Sequence, residues 1–161
     1  MTQMELPAVI IEELRRISKR EGQLVEEILI EVATRDLNPK DRGERYIRVA
    51  RELLKRAKEE LVRGDLRQAS EKIWGAVALA TKAHAYAKEG RRLASHGEIR
   101  EYKDKIAERL GGWVIVAFQQ ASDMHTNFYE GWATRRDVEK AFEAAEKFVE
   151  AVSNDIGIRT E

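Results

Sequence analysis

The sequence predicts an all-α fold, a bundle of seven helices in which five form the core and two form an N-terminal hairpin. Two observations indicate this class. Apolar residues recur at spacings of three and four over most of the chain, which is the period of an amphipathic helix. Residues typical of helix starts and ends separate these segments, and no run shows the period of two that a half-buried strand requires. The β-branched runs at 9–11 and 114–116 both lie inside helical spacing.

The helix predicted over residues 65–87 lies in the middle of the bundle. Asp65 is a suitable N-cap, and Gly64 before it is a suitable end for the preceding helix. Alanine dominates the apolar positions, and small side chains let neighbouring helices approach closely, while Trp74 fills a wider gap. The predicted apolar stripe consists of Leu66, Ala69, Ile73, Ala76, Val77, Ala80, Ala83 and Ala87.

The other helices follow from the same signals. The full set is predicted over about residues 7–21, 24–37, 42–63, 65–87, 95–110, 113–129 and 134–152. The third and fourth form an antiparallel hairpin, because their loop is only a residue or two long. The first two are short and need a partner surface, either the bundle or a second copy of the chain. The first is expected to bury Leu6, Ile10, Leu14 and Ile17.

These elements divide the chain into three parts. We predict a docking or dimerisation hairpin over 1–40, a helical bundle over 41–153 and a flexible tail over 154–161. Chain ends of this kind are poorly ordered unless they are tied down.

The composition narrows the classes of function. Lys plus Arg and Asp plus Glu number 29 each, so there is no large excess of positive charge to indicate a nucleic-acid partner. The chain has no cysteine, which excludes disulfides and thiolate chemistry. No apolar run approaches the roughly 18 residues that span a bilayer. We predict a cytoplasmic protein with no membrane partner and no cofactor.

Three histidines are the first candidates for chemistry. His84, His96 and His125 lie on different predicted helices, and none forms the i, i+4 pair of a helical metal site, so we predict no metal. Arg91 and Arg92 precede His96 in an exposed linker. In such an arrangement, a histidine whose pKa lies near neutrality serves as general base or acid towards an RNA 2′-hydroxyl, while an arginine stabilises the phosphate. A helix-capping role for His96 is the structural alternative.

The segment 122–130 places polar side chains inside an otherwise apolar helix. Buried polar groups must be paired, so this segment is either an inner hydrogen-bonded network or a small pocket. Aromatic residues close to it are of the kind that stack on a base, although aromatic residues in a bundle also serve as core. We predict a ligand site made of Asp123, His125, Asn127, Tyr129 and Trp132.

Three stretches resemble the PaREP1 family of archaeal proteins, namely GDLRQASEKIWGAVALATKAHA at 64–85, SHGEIREY at 95–102 and HTNFYEGW at 125–132. The resemblance covers about residues 43–152. It implies the helical bundle of the HEPN (higher eukaryotes and prokaryotes nucleotide-binding) superfamily, with which PaREP1 is placed. Many HEPN proteins are metal-independent ribonucleases with an Arg-x4–6-His motif at a dimer interface. Others bind nucleotides or partner proteins without catalysis.

The ribonuclease motif is incomplete in this chain. His125 is the late histidine that matches, but the required arginine positions hold Phe118, Gln119 and Gln120. Without that cation the transition-state phosphate loses much of its stabilisation. The resemblance therefore implies a non-catalytic binding or scaffold protein, a homodimer with a nucleotide, RNA or protein partner. The alternative is a ribonuclease that uses His125 or His96 with Arg91 or Arg92.

A second alternative concerns the N-terminal segment, which resembles a ribbon-helix-helix DNA-binding unit in having two short helices separated by Gly22. Such a unit enters the major groove with a strand whose outward residues are usually basic. The corresponding residues here include Gln3 and Glu5. We therefore interpret the segment first as a docking or dimerisation hairpin.

Overall fold

The structure, a computed structural model, describes residues 3–158, which contain seven helices and no strand. This confirms the predicted all-α class. The first two helices form the N-terminal hairpin and the other five form the bundle. Their bounds are α1 (Ala8–Glu21), α2 (Val25–Ala33), α3 (Pro39–Arg63), α4 (Leu66–Glu89), α5 (His96–Leu110), α6 (Trp113–Glu130) and α7 (Arg135–Asp155).

α4 is the centre of the bundle and contacts α3, α5, α6 and α7. Every residue from Ile73 to Tyr86 is buried, so the predicted single stripe is too narrow. α4 is enclosed on all sides because its neighbours approach it closely. A Cβ added at Gly43 of α3 would lie 2.9 Å from the carbonyl oxygen of Ala83, so the two backbones are almost in contact there.

The boundary between α2 and α3 differs from the prediction. α2 ends at Ala33, and α3 begins at Pro39. The Asn38 side chain accepts a hydrogen bond from the Asp41 amide at 2.9 Å, which makes it the N-cap of α3. The sequence predicted the end of the second helix at residue 37 and the start of the third only at about residue 42. Proline at a first helical position is equally a start signal, because its missing N–H has no partner there in any helix.

The buried side predicted for α1 is wrong. No residue of α1 is buried, and Ile10 is 46% exposed. Leu6, Leu14 and Ile17 are only half-buried. α1 packs mainly against α2 and does not enter the core of the bundle.

α2 is attached to the bundle by buried contacts. Leu24 packs against Gly75 of α4, where an added Cβ would lie 2.8 Å from its Cδ2 atom. Glu27 of α2 forms an ion pair with Lys82 of α4, with 3.0 Å between Oε1 and Nζ, and both side chains are at most 5% exposed. The other Glu27 oxygen accepts the Leu24 amide at 2.7 Å. No pattern in the sequence had indicated this buried ion pair.

The C-terminal residues differ from the predicted flexible tail over 154–161. α7 continues to Asp155, and Ile156 is buried. Asp155 accepts from His84 Nε2 at 2.7 Å and forms a two-pronged ion pair with Arg109. The tail prediction is therefore corrected for residues 154–158, and residues 159–161 lie outside the described part of the chain.

His84 is a structural residue. It is 1% exposed, and its two ring nitrogens contact the Tyr102 hydroxyl at 2.8 Å and the Asp155 carboxylate at 2.7 Å. Burial lowers the pKa of His84 below its ordinary value, against the opposing effect of Asp155. The hydrogen bond from Arg109 lowers the pKa of Asp155 to about 2. The cluster ties α7 to α4 and α5.

Residues 3–7 do not form the strand that a ribbon-helix-helix unit requires. Among the described helices, none is both long enough and apolar enough to cross a membrane.

Candidate functional site

His96 and His125, 29 positions apart in the sequence, meet in the structure. His96 is the first residue of α5, which begins at the Ser95 N-cap, and His125 lies in the second half of α6. Their ring centroids are 5.3 Å apart, and both rings lie against Trp74 of α4, at 5.6 and 5.5 Å. We call Trp74, His96 and His125 the histidine cluster.

Each histidine of this cluster has a polar partner. His125 Nδ1 lies 3.2 Å from Glu71 Oε1, one helical turn before Trp74 on α4. His96 Nε2 contacts the Gly22 carbonyl oxygen in the hairpin turn. Because a carboxylate only accepts, His125 donates from Nδ1, and its Nε2 then carries the lone pair in the neutral ring. Glu71 therefore holds His125 in the tautomer of a general base.

The buried indole nitrogen of the cluster has no partner. Within the described residues, Trp74 Nε1 is the one buried side-chain nitrogen or oxygen that makes no hydrogen bond. Trp74 is 3% exposed, so its N–H is shielded from bulk water. A buried donor of this kind normally has a hydrogen-bond partner, from the protein or from ordered water.

A cavity of about 350 Å³ lies beside the histidine cluster and opens to solvent. The end of α1 and the hairpin turn form one wall, and the first turns of α4 and the last turns of α6 form the others. We call it the hairpin cavity. Its side-chain lining comprises Arg15, Ser18, Gln23, Leu24, Val25, Glu26, Gln68, Glu71, Lys72, His125, Phe128 and Tyr129, with Gly22 in the turn.

The cavity carries cations that no carboxylate neutralises directly. Over residues 3–158 neither Arg15 nor Lys72 forms an ion pair, and Lys72 Nζ contacts only the Gln68 amide oxygen, at 3.2 Å. The walls also carry two carboxylates, Glu26 and Glu71; within residues 3–158 neither pairs with Arg15 or Lys72, and Glu71 contacts His125. An anionic group entering the cavity therefore meets two available positive charges.

Tyr129 gives the cavity an accessible aromatic surface. It is 67% exposed, and its ring packs edge-on against His125 at 5.6 Å and Phe128 at 4.9 Å. Partial burial, and then the charge of Glu71, raise the pKa of Tyr129 above its ordinary value, so the phenol is neutral at physiological pH. A ring fixed on one edge and open on one face is suited to stacking.

The five predicted ligand residues do not form one site. His125 and Tyr129 line the hairpin cavity, while Asp123 and Trp132 line a second depression of about 290 Å³ together with Lys140. Residues two apart on a helix are separated by about 200°, so Asp123 and His125 point in different directions. The prediction grouped them by sequence proximity alone.

Asn127, the fifth predicted ligand residue, is part of the fold. It is 1% exposed, donates to Ser70 Oγ at 2.9 Å and accepts from the Ala133 amide at 2.7 Å. The polar segment was expected to be either an inner network or a pocket, and it is both. Asn127 forms the network, and His125, Phe128 and Tyr129 line the cavity.

The arginines proposed for ribonuclease chemistry lie away from the histidine cluster. Arg92 forms an ion pair with Glu31 of α2. Burial acts to raise the pKa of Glu31, but the hydrogen bond from Arg92 and the charges of Arg92, Lys82 and Arg42 together outweigh it, so the pKa is lowered. Arg91 donates its backbone N–H to the Ala85 carbonyl and does not line the hairpin cavity.

An arginine that the sequence analysis missed lies closer. Arg100 follows His96 by four residues on α5, so the two share a helix face. Its guanidinium donates to Ser122 Oγ at 2.9 Å, one turn before His125, and lies 5.6 Å from the Phe118 ring centroid. The His-x3-Arg spacing was the available signal. No group of three or more potential ligands among the described residues is arranged to hold a metal.

Comparison with known proteins gives a family and a fold. The model of the archaeal PaREP1/PaREP8 family matches residues 45–149. No curated protein matches the chain. A crystal structure of a protein from Sulfolobus solfataricus is similar with a TM-score of 0.59 and 22% identity, over 66% of this chain and 94% of that one. At this identity the likeness concerns the fold alone.

Proposed function

We propose, from the premise that this chain belongs to the archaeal PaREP1/PaREP8 family, that it is a non-catalytic, HEPN-like binding protein for a nucleotide-like ligand. The observation that supports this most directly is the hairpin cavity. It combines Arg15 and Lys72, which have no carboxylate partner in the described residues, with the open ring of Tyr129. A nucleotide needs both features, cations for its phosphate and an aromatic surface for its base.

The size and lining of the cavity fit this role. Its volume of about 350 Å³ lies at the lower end of the range for small-molecule sites, which suits a mononucleotide better than a larger ligand. Lys72 and Arg15 would hold the phosphate, and Tyr129 would stack on the base. Gln68 and Ser18 also line the cavity and would offer hydrogen bonds to the ribose.

A thermal-shift titration with a panel of mononucleotides, followed by calorimetry, tests the proposal. We expect at least one nucleotide to raise the melting temperature in a saturable way. Lys72→Ala should abolish the shift. Lys58→Ala, which removes an exposed lysine from α3 far from the cavity, should leave it unchanged. A flat response across the panel would refute nucleotide binding.

A metal-independent ribonuclease is the second candidate, and the contact between Glu71 and His125 favours it. His125 Nε2 would take the proton of an RNA 2′-hydroxyl, the 2′-oxygen would attack the phosphorus, and protonated His96 would supply the proton that leaves with the 5′-oxygen. Arg100, four residues after His96 on α5, would supply positive charge.

Cleavage of single-stranded RNA in the presence of EDTA separates the two candidates. A ribonuclease would lose activity in His125→Ala and His96→Ala. Absence of cleavage by the wild-type protein at high enzyme concentration would reject this candidate and leave the binding proposal intact.

A homodimer is part of the proposal, and its surface is argued below. A cytoplasmic location stays a prediction from composition.

A further inference from the structure

The N-terminal hairpin leaves an apolar surface uncovered. Within residues 3–158, ten large hydrophobic side chains are exposed, and half of them lie on this short part of the chain. We call these five residues the hairpin face. They are Met4 at 81% exposure, Val9 at 68%, Ile10 at 46%, Leu29 at 43% and Val32 at 54%.

Packing within one chain stabilises α1, which contributes Val9 and Ile10 to the hairpin face, only weakly. α1 has 14 residues and none of them is buried. A helix of this length is marginal in water by itself, and most helical stability in proteins comes from packing of the apolar face. A concentration of exposed apolar side chains on one short segment is typical of an interaction surface.

The charges on α1 identify what covers the face. Its first half carries two acidic residues, Glu12 and Glu13, and its second half has a net positive charge, with Arg15, Arg16, Lys19 and Arg20 against the single acid Glu21 at its end. Two copies of α1 placed antiparallel put the acidic half of each against the basic half of the other. A parallel pair would place like charges together, which is destabilising.

We propose that the hairpin face binds the same face of a second copy of this chain, with the two α1 helices antiparallel across a twofold axis. Such an isologous contact uses one self-complementary patch, which is what this helix offers. The contact supplies the surface for the homodimer of the proposed function, and it does not depend on ligand binding. It would also fix the wall of the hairpin cavity that Arg15 and Ser18 contribute.

Light scattering and sedimentation velocity of the wild-type protein without nucleotide give the first test. We expect a dimer, and a monomeric mass across the accessible concentrations would overturn the proposal. Ile10→Glu should raise the dimer Kd by more than about tenfold, since it places a charge in the apolar contact. Val116→Glu is the matched control, because Val116 is 62% exposed on α6 and should have no effect. The reverse pattern would place the interface on α6 and refute the proposal.

A charge exchange tests the antiparallel arrangement. One variant carries Glu12→Arg and Glu13→Arg, and the other carries Arg16→Glu and Arg20→Glu. Each should be monomeric alone, and a 1:1 mixture should form a heterodimer. If the mixture stays monomeric, or if either variant dimerises alone as the wild type does, the arrangement is wrong. Circular dichroism verifies that each variant is folded.

Dimerisation and nucleotide binding can be tested separately. Lys72→Ala should dimerise like the wild type, because Lys72 lies on α4 away from the hairpin face. Loss of nucleotide binding together with an intact dimer would therefore concern the cavity alone.

Discussion

α4 and α1 carry the same kind of apolar spacing and end in opposite environments. Along α4 every residue from Ile73 to Tyr86 is buried, whereas α1 has no buried residue. The difference lies in the neighbours, since four helices enclose α4 and α1 packs mainly on α2. An amphipathic period predicts that a helix forms, and the surrounding chain decides how much of it is removed from water.

The two regions meet at α2, which belongs to the hairpin in sequence but is fastened to the core. Leu24 occupies the space that Gly75 leaves free, and the ion pair between Glu27 and Lys82 is buried on both sides. Arg42 of α3 adds hydrogen bonds to the Glu31 carbonyl and the Thr34 hydroxyl. Burying an unpaired charge costs free energy, so removing one partner of this ion pair should detach the hairpin from the bundle.

The largest effect is expected for Lys82→Met. The substitution leaves Glu27 buried without its cation, which costs about 3–5 kcal/mol in comparable cases. Glu27 regains water only if α2 leaves the bundle, so the docked hairpin should be lost while α4 stays protected. Hydrogen exchange should show faster exchange across α2 and unchanged exchange in the centre of α4.

A rescue variant makes this prediction specific. Glu27→Leu combined with Lys82→Met replaces the ion pair by apolar contact and should restore protection of α2, because such replacements are often neutral or stabilising. Unchanged exchange of α2 in Lys82→Met alone would mean that the ion pair does not hold the hairpin.

Gly43→Ala should give the next largest effect, on the bundle side of the comparison. The new methyl group would lie 2.9 Å from the Ala83 carbonyl oxygen, a backbone atom that cannot move aside cheaply. Overpacking of this kind costs about 1–3 kcal/mol. The matched control is Gly97→Ala in the first turn of α5, where the nearest atom is Ser95 Oγ at 3.8 Å. Chemical denaturation should show a lower unfolding free energy for Gly43→Ala and no loss for the control.

The fold was predictable because its signals are local. Asp65 was predicted as an N-cap, and it accepts the expected amide hydrogen bond. The helices predicted to begin at about residues 95 and 134 are capped in the same way, by Ser95 and Thr134. Together with helical periodicity these residues set the class and the starts of three helices. The exposure of α1 was not predictable from the same pattern, because helical spacing does not show which surface, if any, lies opposite Ile10.

The candidate site was less predictable because it is assembled from distant segments. His96 and His125 were each considered, but nothing in the sequence states that Trp74 brings them together. The ligand residues were chosen along one stretch of α6, and the helix distributes Asp123 and Tyr129 to different depressions. Lys72 was missed because a single lysine on a charged helix face has no distinguishing pattern.

Low pH should reduce the unfolding free energy of the bundle through His84 and Asp155. This effect should be smaller than those of Lys82→Met and Gly43→Ala. The native pKa of His84 is lowered from 6.5, so the unfolded chain takes up a proton first and stability falls as the pH drops below about 6.5. Asp155, with its native pKa of about 2 against 3.8, adds a further loss as the pH falls from 3.8 towards 2.

His84→Gln isolates the first of these contributions. The variant is less stable at neutral pH, but its difference from the wild type should shrink as the pH falls through 6.5, because glutamine takes up no proton. Denaturant titrations at several pH values measure this. A difference that stays constant with pH would show that His84 titrates alike in the folded and unfolded chain.

The smallest effect is expected for Ile10→Ala, on the hairpin side. Ile10 is 46% exposed, so in dilute solution, where the chain is monomeric, truncation should change the unfolding free energy by no more than about 0.5 kcal/mol. Ile73→Ala in α4 removes a side chain of the same size at 0% exposure and should cost about 2–5 kcal/mol. Denaturation at low and high protein concentration should then show a concentration-dependent loss for Ile10→Ala alone, because only its contacts form between copies. Equal losses for the two variants at low concentration would mean that α1 is packed in the monomer as firmly as α4.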